Sequence, residues 1–175
     1  LLGLSFDQAE AVAAEAAQGE VCQVANQNDP AQNVVSGSKA AVERAIDLAK
    51  AAGAKRALLL PVSAPFHCAL MAPAAEEMAG ALADVTMNAP AVPVVANVVA
   101  EAVTDPEQIR KLLIEQVTGQ VRWMSSVEWM GAQGVTEVWE IGAGKALSGM
   151  IRRINKEITC VNIGTAADAA AVKTA

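Results

Sequence analysis

The stretch Leu58 to Pro73, LLLPVSAPFHCALMAP, closes one pattern of the chain and opens another. The aliphatic run from Ala57 reads as a buried strand that ends at Pro61. A short Ser/Ala/Pro segment follows, and the chain's only histidine, His67, stands just before a helix-like run. An imidazole in a loop after a strand suits acid/base chemistry, because its unperturbed pKa lies near neutrality and a rigid scaffold can aim it. A histidine packed or hydrogen-bonded for structural reasons is the alternative, and residue type and position leave both open.

Upstream of Pro61 the punctuation predicts a compact pattern. Leu1–Leu2–Gly3–Leu4 looks like the end of a strand cut short, so the sequence reads as an excerpt of a longer polypeptide. Ser5 and Gln8 have capping-box spacing, and Ala9 to Gln18 reads as a helix closed by Gly19. Val21–Ala25 and Gln32–Ser36 read as short strands around turn residues Asn26–Pro30. A helix follows from Ser38 to Ala52, closed by Gly53, and Ala57–Pro61 is the last strand. The order β-α-β-β-α-β is that of a ferredoxin-like subdomain over residues 1–61.

Downstream, 62–175, helices and strands alternate. Leu70 to Val85 carries apolar residues at helical spacing. Val92–Val99 suits a strand, interrupted by the polar Asn97. Asp105–Pro106 opens a helix to about Val117, and Trp123–Gln133 forms another. Glu137–Ile141, Lys145–Lys156 and Thr159–Ile163 read as strand, helix and strand, with a last helix in the Ala-rich tail. This alternation predicts an α/β layer architecture with a largely parallel sheet. Met71, Met78 and Met87 read as core or groove fillers, and Trp123, Trp129 and Trp139 as core.

Composition narrows the function classes. Of 175 residues, 53% are hydrophobic and 3% aromatic, and the net charge is −6 with basic residues scattered apart from Arg152–Arg153, which argues against nucleic acid as a partner. No apolar run approaches the roughly 18 residues of a membrane span, and no signal peptide opens the chain, so a cytoplasmic protein without a membrane partner is expected. Cys22, Cys68 and Cys160 are widely spaced and form no CxxC pair. Neither a disulfide framework nor a structural metal site is expected. Cys68 beside His67 suggests a Cys/His nucleophile, but neighbouring side chains usually point apart.

Two further motifs fall short of a known chemistry. Gly142-Ala143-Gly144-Lys145 follows an apolar strand, yet lacks both the insert and the hydroxyl residue of a P-loop, and Leu147 stands where a dinucleotide fingerprint needs glycine. It reads as a tight strand-to-helix turn or as a helix N-terminus facing an anionic group. Asn26 and Asn28 read as turn formers or as amide donors to a ligand. No G-x-S-x-G elbow is present, so a hydrolytic or transfer role for His67 would need a nucleophile outside these residues.

Several stretches together resemble a known family. VANQNDPAQNVVSGSKAAVERA, AAGAKRALLLPVS, PVSAPFHCALMAPA, NAPAVPVVANV, EQVTGQVRWMSSVEWM and EIGAGKALSGMIRRI are similar, in this order, to segments of the malonyl-CoA:acyl carrier protein transacylases of bacterial fatty acid synthesis. The resemblance covers Leu2 to about Ile163 and implies an α/β-hydrolase-like core, here residues 62–175, bearing a ferredoxin-like insert. It implies ping-pong transfer of malonyl from coenzyme A to the phosphopantetheine thiol of acyl carrier protein, with no cofactor or metal.

In that family pattern His67 is the general base and acid, and the backbone carbonyl of Gln116 orients it in place of an Asp. Phe66 forms an aromatic wall of the malonyl pocket, and Asn26 and Asn28 line the cleft. The serine nucleophile belongs to an N-terminal half of the same enzyme, so this segment is expected to be inactive by itself. Gln120 and Ala143 depart from prolines in the pattern. Two alternatives remain: an acyltransferase domain of a polyketide synthase, against which an end soon after the last strand would argue, and a non-catalytic carrier-protein-binding module.

Overall fold

The first helix, α1 (Phe6–Ala17), starts where its cap dictates. Ser5 Oγ accepts the Gln8 N–H at 3.3 Å while the Gln8 side chain accepts the Ser5 N–H at 2.9 Å. The reciprocal pair satisfies two amides that a helix end leaves without partners. The computed structural model describes residues 1–172, so 173–175 of the Ala-rich tail lie outside the described residues. These residues form two compact units, Leu1–Ser126 and Val127 onward.

In the first unit, β1 (Cys22–Asp29) and β2 (Gln32–Gly37) form an antiparallel hairpin, followed by α2 (Lys39–Ala51). Ala41, Ala45 and Ala49, spaced four apart on α2, are fully buried with Val12, Ala13 and Ala16 of α1. Alanine at these positions lets the two helices approach closely over the hairpin. Arg44 of α2 closes the other end of α1, donating Nε–H to the Ala16 carbonyl at 2.9 Å and pairing with Glu20 at 2.6 Å. A cation there complements the helix dipole.

Leu2 bridges antiparallel to both Gln32 and Arg56, so the backbone order across this layer is Arg56, Leu2, β2, β1. The ladder goes no further along the chain: Ala57–Pro61 is not a strand, and Leu58, Leu59 and Leu60 are 50%, 56% and 51% exposed. An aliphatic run signals a segment suited to burial, but burial also needs a partner strand and a covering layer. The described residues supply neither here.

A 3₁₀ turn at Ala69–Met71 leads into α3 (Ala72–Ala83). The predicted strand Val92–Val99 is shorter and folds back on itself: β3 (Val94–Ala96) pairs antiparallel with β4 (Glu101–Val103), which sequence reading missed. The reversal occupies Asn97–Ala100, with Ala100 at φ 57°. Next comes α4 (Pro106–Glu115), capped by Asp105, whose carboxylate accepts the Gln108 N–H at 2.7 Å, and then α5 (Trp123–Ala132) begins.

The second unit contains the end of α5, β5 (Glu137–Ile141), α6 (Ala146–Ile154), β6 (Thr159–Ile163) and α7 (Ala166–Ala171). β5 and β6 pair in parallel, Glu137 opposite Thr159 through Ile141 opposite Ile163, with α6 as the crossover. The expected, largely parallel sheet is confined to this pair. The other two described sheets are antiparallel, because short reversals at Pro30–Ala31 and Asn97–Ala100 permit nothing else. Trp139 is also not core: it is 48% exposed and donates its indole N–H to Glu137 at 2.8 Å.

Candidate active site

The loop that carries His67 is fastened from three directions. Cys68, fully buried, donates its thiol to the Pro65 carbonyl at 3.2 Å, and its own carbonyl accepts the Met71 N–H at 3.0 Å. The Ala69 N–H donates to Gln23 Oε1 of β1 at 2.8 Å. His67 itself sits at φ 57°. A bulky residue in the left-handed region is held there by its surroundings, and such strain gathers at functional sites.

Its third fastening is the ring. Nδ1 lies 2.9 Å from the Gln116 carbonyl oxygen and 3.1 Å from that of Gly119. Both oxygens can only accept, so Nδ1 carries a hydrogen, and in the neutral ring the lone pair then lies on Nε2. The Gln116 carbonyl is available because Gln116 caps the C-terminal end of α4, where no following turn claims it. Gly119 turns back to donate its N–H to the Glu115 carbonyl at 2.8 Å, and a Cβ at Gly119 would stand 2.9 Å from that same oxygen. The resulting imidazole can take a proton at Nε2 without giving up its own.

His67 and Gln116, both singled out in the sequence, are thus in direct contact. Phe66, next in the chain, is 47% exposed. Asn26 and Asn28 lie within β1 and not in the expected turn, which is displaced to Pro30–Ala31. The reason is a ladder on each edge: Asn26 pairs with Val34 on one side and bridges in parallel to Val121 on the other, and these bonds outweigh asparagine's turn preference. Val121 follows the carbonyl-bearing turn, so β1 is tied to it by the Val121 N–H to Ala25 carbonyl bond at 2.8 Å and the Gln27 N–H to Val121 carbonyl bond at 3.0 Å. Sequence reading missed Gly119 and Gln23. Gly119 was legible only as a turn residue.

Two of the three thiols are set in surroundings that disfavour a nucleophilic thiolate. Cys68 is committed to the Pro65 carbonyl, and burial pushes the Cys22 thiol up, an effect that the Arg44 charge offsets only in part. Among the described residues no three His, Cys, Asp or Glu side chains gather as a metal site, and no helix is long and apolar enough to cross a membrane.

The Gly142–Lys145 segment resolves as a turn whose helix end is already occupied. Glu140 accepts the Leu147 N–H at 3.0 Å, the Ser148 N–H at 2.8 Å and the Ser148 hydroxyl at 2.5 Å. Asn162 of β6 donates to the same carboxylate at 3.1 Å. These bonds, Ser148's hydroxyl first, hold the Glu140 carboxyl below the usual range. An anion at the start of α6 is therefore supplied from within the chain.

Fold and ring together define an α/β protein that presents one imidazole with Nδ1 anchored and Nε2 bare. No protein-family model matches the chain. It is 49% identical over 159 residues to the malonyl CoA-acyl carrier protein transacylase of Escherichia coli K12, covering 91% of this chain and 52% of that protein. The Haemophilus influenzae protein of the same name is 42% identical over 173 residues, 99% of this chain and 55% of its own length. A solved acyl carrier protein S-malonyltransferase from Vibrio cholerae superposes with a TM-score of 0.94 at 50% identity, covering 98% of this chain and 56% of that one. A malonyl-transacylase solved in complex with a type II polyketide synthase acyl-carrier protein gives 0.93 at 42% identity, over 96% of this chain and 54% of that one. The chain is a relative of the malonyl CoA-acyl carrier protein transacylases, and it spans about half the length of the curated relatives it matches.

Proposed function

We propose that this chain is the C-terminal portion of a malonyl-CoA:acyl carrier protein transacylase and supplies the base of a Ser/His pair. Nε2 of His67 takes the proton as a serine hydroxyl, from a segment outside these residues, attacks the malonyl thioester carbonyl. The imidazolium returns that proton to the departing coenzyme A thiolate. The second half reverses the sequence: the phosphopantetheine thiol of acyl carrier protein gives its proton to Nε2, attacks the malonyl-serine ester, and serine leaves reprotonated. The anchoring of Nδ1 by the Gln116 and Gly119 carbonyls carries this reading, because it fixes the tautomer that a base needs.

Phe66 walls the malonyl pocket, and Asn26 and Asn28 line the cleft. Residues 1–61 form a ferredoxin-like subdomain, a reading supported by the backbone order Arg56, Leu2, β2, β1 and by two helices on one face. Residues 62–175 belong to an α/β-hydrolase-like core, supported by the parallel β5-α6-β6 unit. Free Cys22, Cys68 and Cys160 suit a reducing cytoplasmic setting. The test is to join the chain to a segment carrying a GHSLG-like elbow and to measure malonyl transfer to acyl carrier protein. Loss of transfer by orders of magnitude in His67→Ala is the expected result; unchanged turnover, or a malonyl adduct on Cys68 with none on serine, sinks the reading.

A further inference from the structure

The two carbonyls that hold His67 belong to one short segment, 116–122, and a single residue outside it holds both of its ends, one through its side chain and the other through its backbone. Asn97, at the reversal between β3 and β4, donates its amide N–H to Gln116 Oε1 at 3.2 Å, and its backbone carbonyl accepts the Arg122 N–H at 3.3 Å. The Arg122 guanidinium reaches back to the Val98 and Val99 carbonyls at 3.5 and 3.4 Å, so the same turn is fastened a second time. Within the segment, Gly119 is folded onto Glu115 and Val98 Cγ2 lies 3.4 Å from where its Cβ would be.

We propose that Asn97 is a positioning residue for His67. By bridging Gln116 and Arg122 it sets where the two carbonyls point, and through them which ring nitrogen of His67 carries the hydrogen. The polar break that Asn97 makes in the valine-rich run Val92–Val99 then has a purpose beyond ending a strand. Its side-chain hydrogen bond goes to Gln116 and not to the imidazole, so it acts through Gln116. The catalytic meaning of this role rests on the reading of His67 as base, but the tautomer itself does not.

His67 is the only histidine of the chain, so its ring nitrogens give unambiguous signals in an ¹⁵N NMR spectrum of the 175-residue protein. The wild-type chain is expected to show the Nδ1–H form. Asn97→Leu keeps the branched shape and removes the donor, and the ratio favouring Nδ1–H should fall about tenfold, the weight of one hydrogen bond. Gln116→Ala keeps the backbone carbonyl but loses Oε1, and should do the same. The double variant should be no worse than either single one, because both remove one interaction. Asn97→Asp should retain the wild-type spectrum, since the Gln116 amide can turn its NH₂ toward the new carboxylate.

A wild-type tautomer in Asn97→Leu overturns the inference. So does a loss in Asn97→Leu that Asn97→Asp fails to rescue, because shape and not the hydrogen bond would then be responsible. Should Asn97→Leu not fold, Gln116→Ala decides the matter by the same readout. These spectra are recorded without substrate. Failure here removes Asn97 from the site and leaves malonyl transfer to be judged by His67→Ala in the joined protein.

Discussion

The turn that holds His67 and the turn at Gly142–Lys145 both stand out in the sequence, yet the structure treats their polar groups in opposite ways. At His67 two backbone carbonyls saturate one ring nitrogen and leave the other bare. At Gly142–Lys145 the exposed amides at the start of α6 are answered by Glu140, which Ser148 and Asn162 also bind. The first arrangement withholds a proton-accepting atom from the protein's own network; the second gives the Leu147 and Ser148 amides an anion from within the chain. Reactivity resides where hydrogen-bonding capacity is left over, and stability where it is fully matched.

That contrast is broken most directly by exchanging the two sites as targets. Under the proposed function His67→Ala lowers malonyl transfer in the joined protein by about 10²–10⁴-fold, the range of a lost general base, whereas Lys145→Ala changes it by less than about threefold. Steady-state assays of both variants check this, and equal losses would erase the distinction. Ser148→Ala, at a side chain only 2% exposed, should cost the second unit about 1–3 kcal/mol in denaturant unfolding and leave the His67 tautomer unchanged.

Gly119→Ala sharpens the comparison from the other side. The added Cβ would press on the Glu115 carbonyl, and the displaced Gly119 oxygen should lower transfer about tenfold, since small misplacements of a catalytic group are costly. Asp105→Ala removes the cap of α4 at the end far from Gln116; it should cost about 1 kcal/mol by thermal unfolding, with little effect on transfer.

The smallest effect is one of pH. The hydrogen bonds from Ser148 hold the Glu140 carboxyl down, and those from Thr165 and Gly164 do the same for Asp168. A carboxyl with a lowered folded pKa stabilises the fold above its unfolded value, near 4, and loses that contribution as the pH falls through the folded one. Fluorescence of Trp139, beside Glu140 in β5, should therefore report loosening of the second unit only below about pH 4. Glu140→Gln should flatten that profile, and an unaltered acid transition would show that the network carries no such linkage.

Much of this protein was legible in its residues because local chemistry dictated it. The capping box of Ser5 and Gln8, the Asp105 cap, and strands Glu137–Ile141 and Thr159–Ile163 appear where spacing placed them. The segment Ala57–Pro61 did not become a strand, because a strand is a relation between segments and aliphatic composition describes only one of them. Asn26 moved from a turn into β1 for the converse reason: Val34 and Val121, distant in sequence, claimed its backbone on either side, and Asn28 followed at a bulge between the paired Gln27 and Asp29. His67 was visible as a residue type and Gln116 through family resemblance. Gly119 and Gln23 were not, since backbone carbonyls leave no signature in a sequence and a glutamine gives no hint of what it will bind.

By itself the sequence determined the main helices, the capping box that opens α1, the β5-α6-β6 unit and the singular imidazole, all consequences of short-range periodicity and residue type. Only the tertiary structure decided which nitrogen of that imidazole is free. The choice depends on two carbonyls about fifty residues away, brought to Nδ1 by the turn that follows α4.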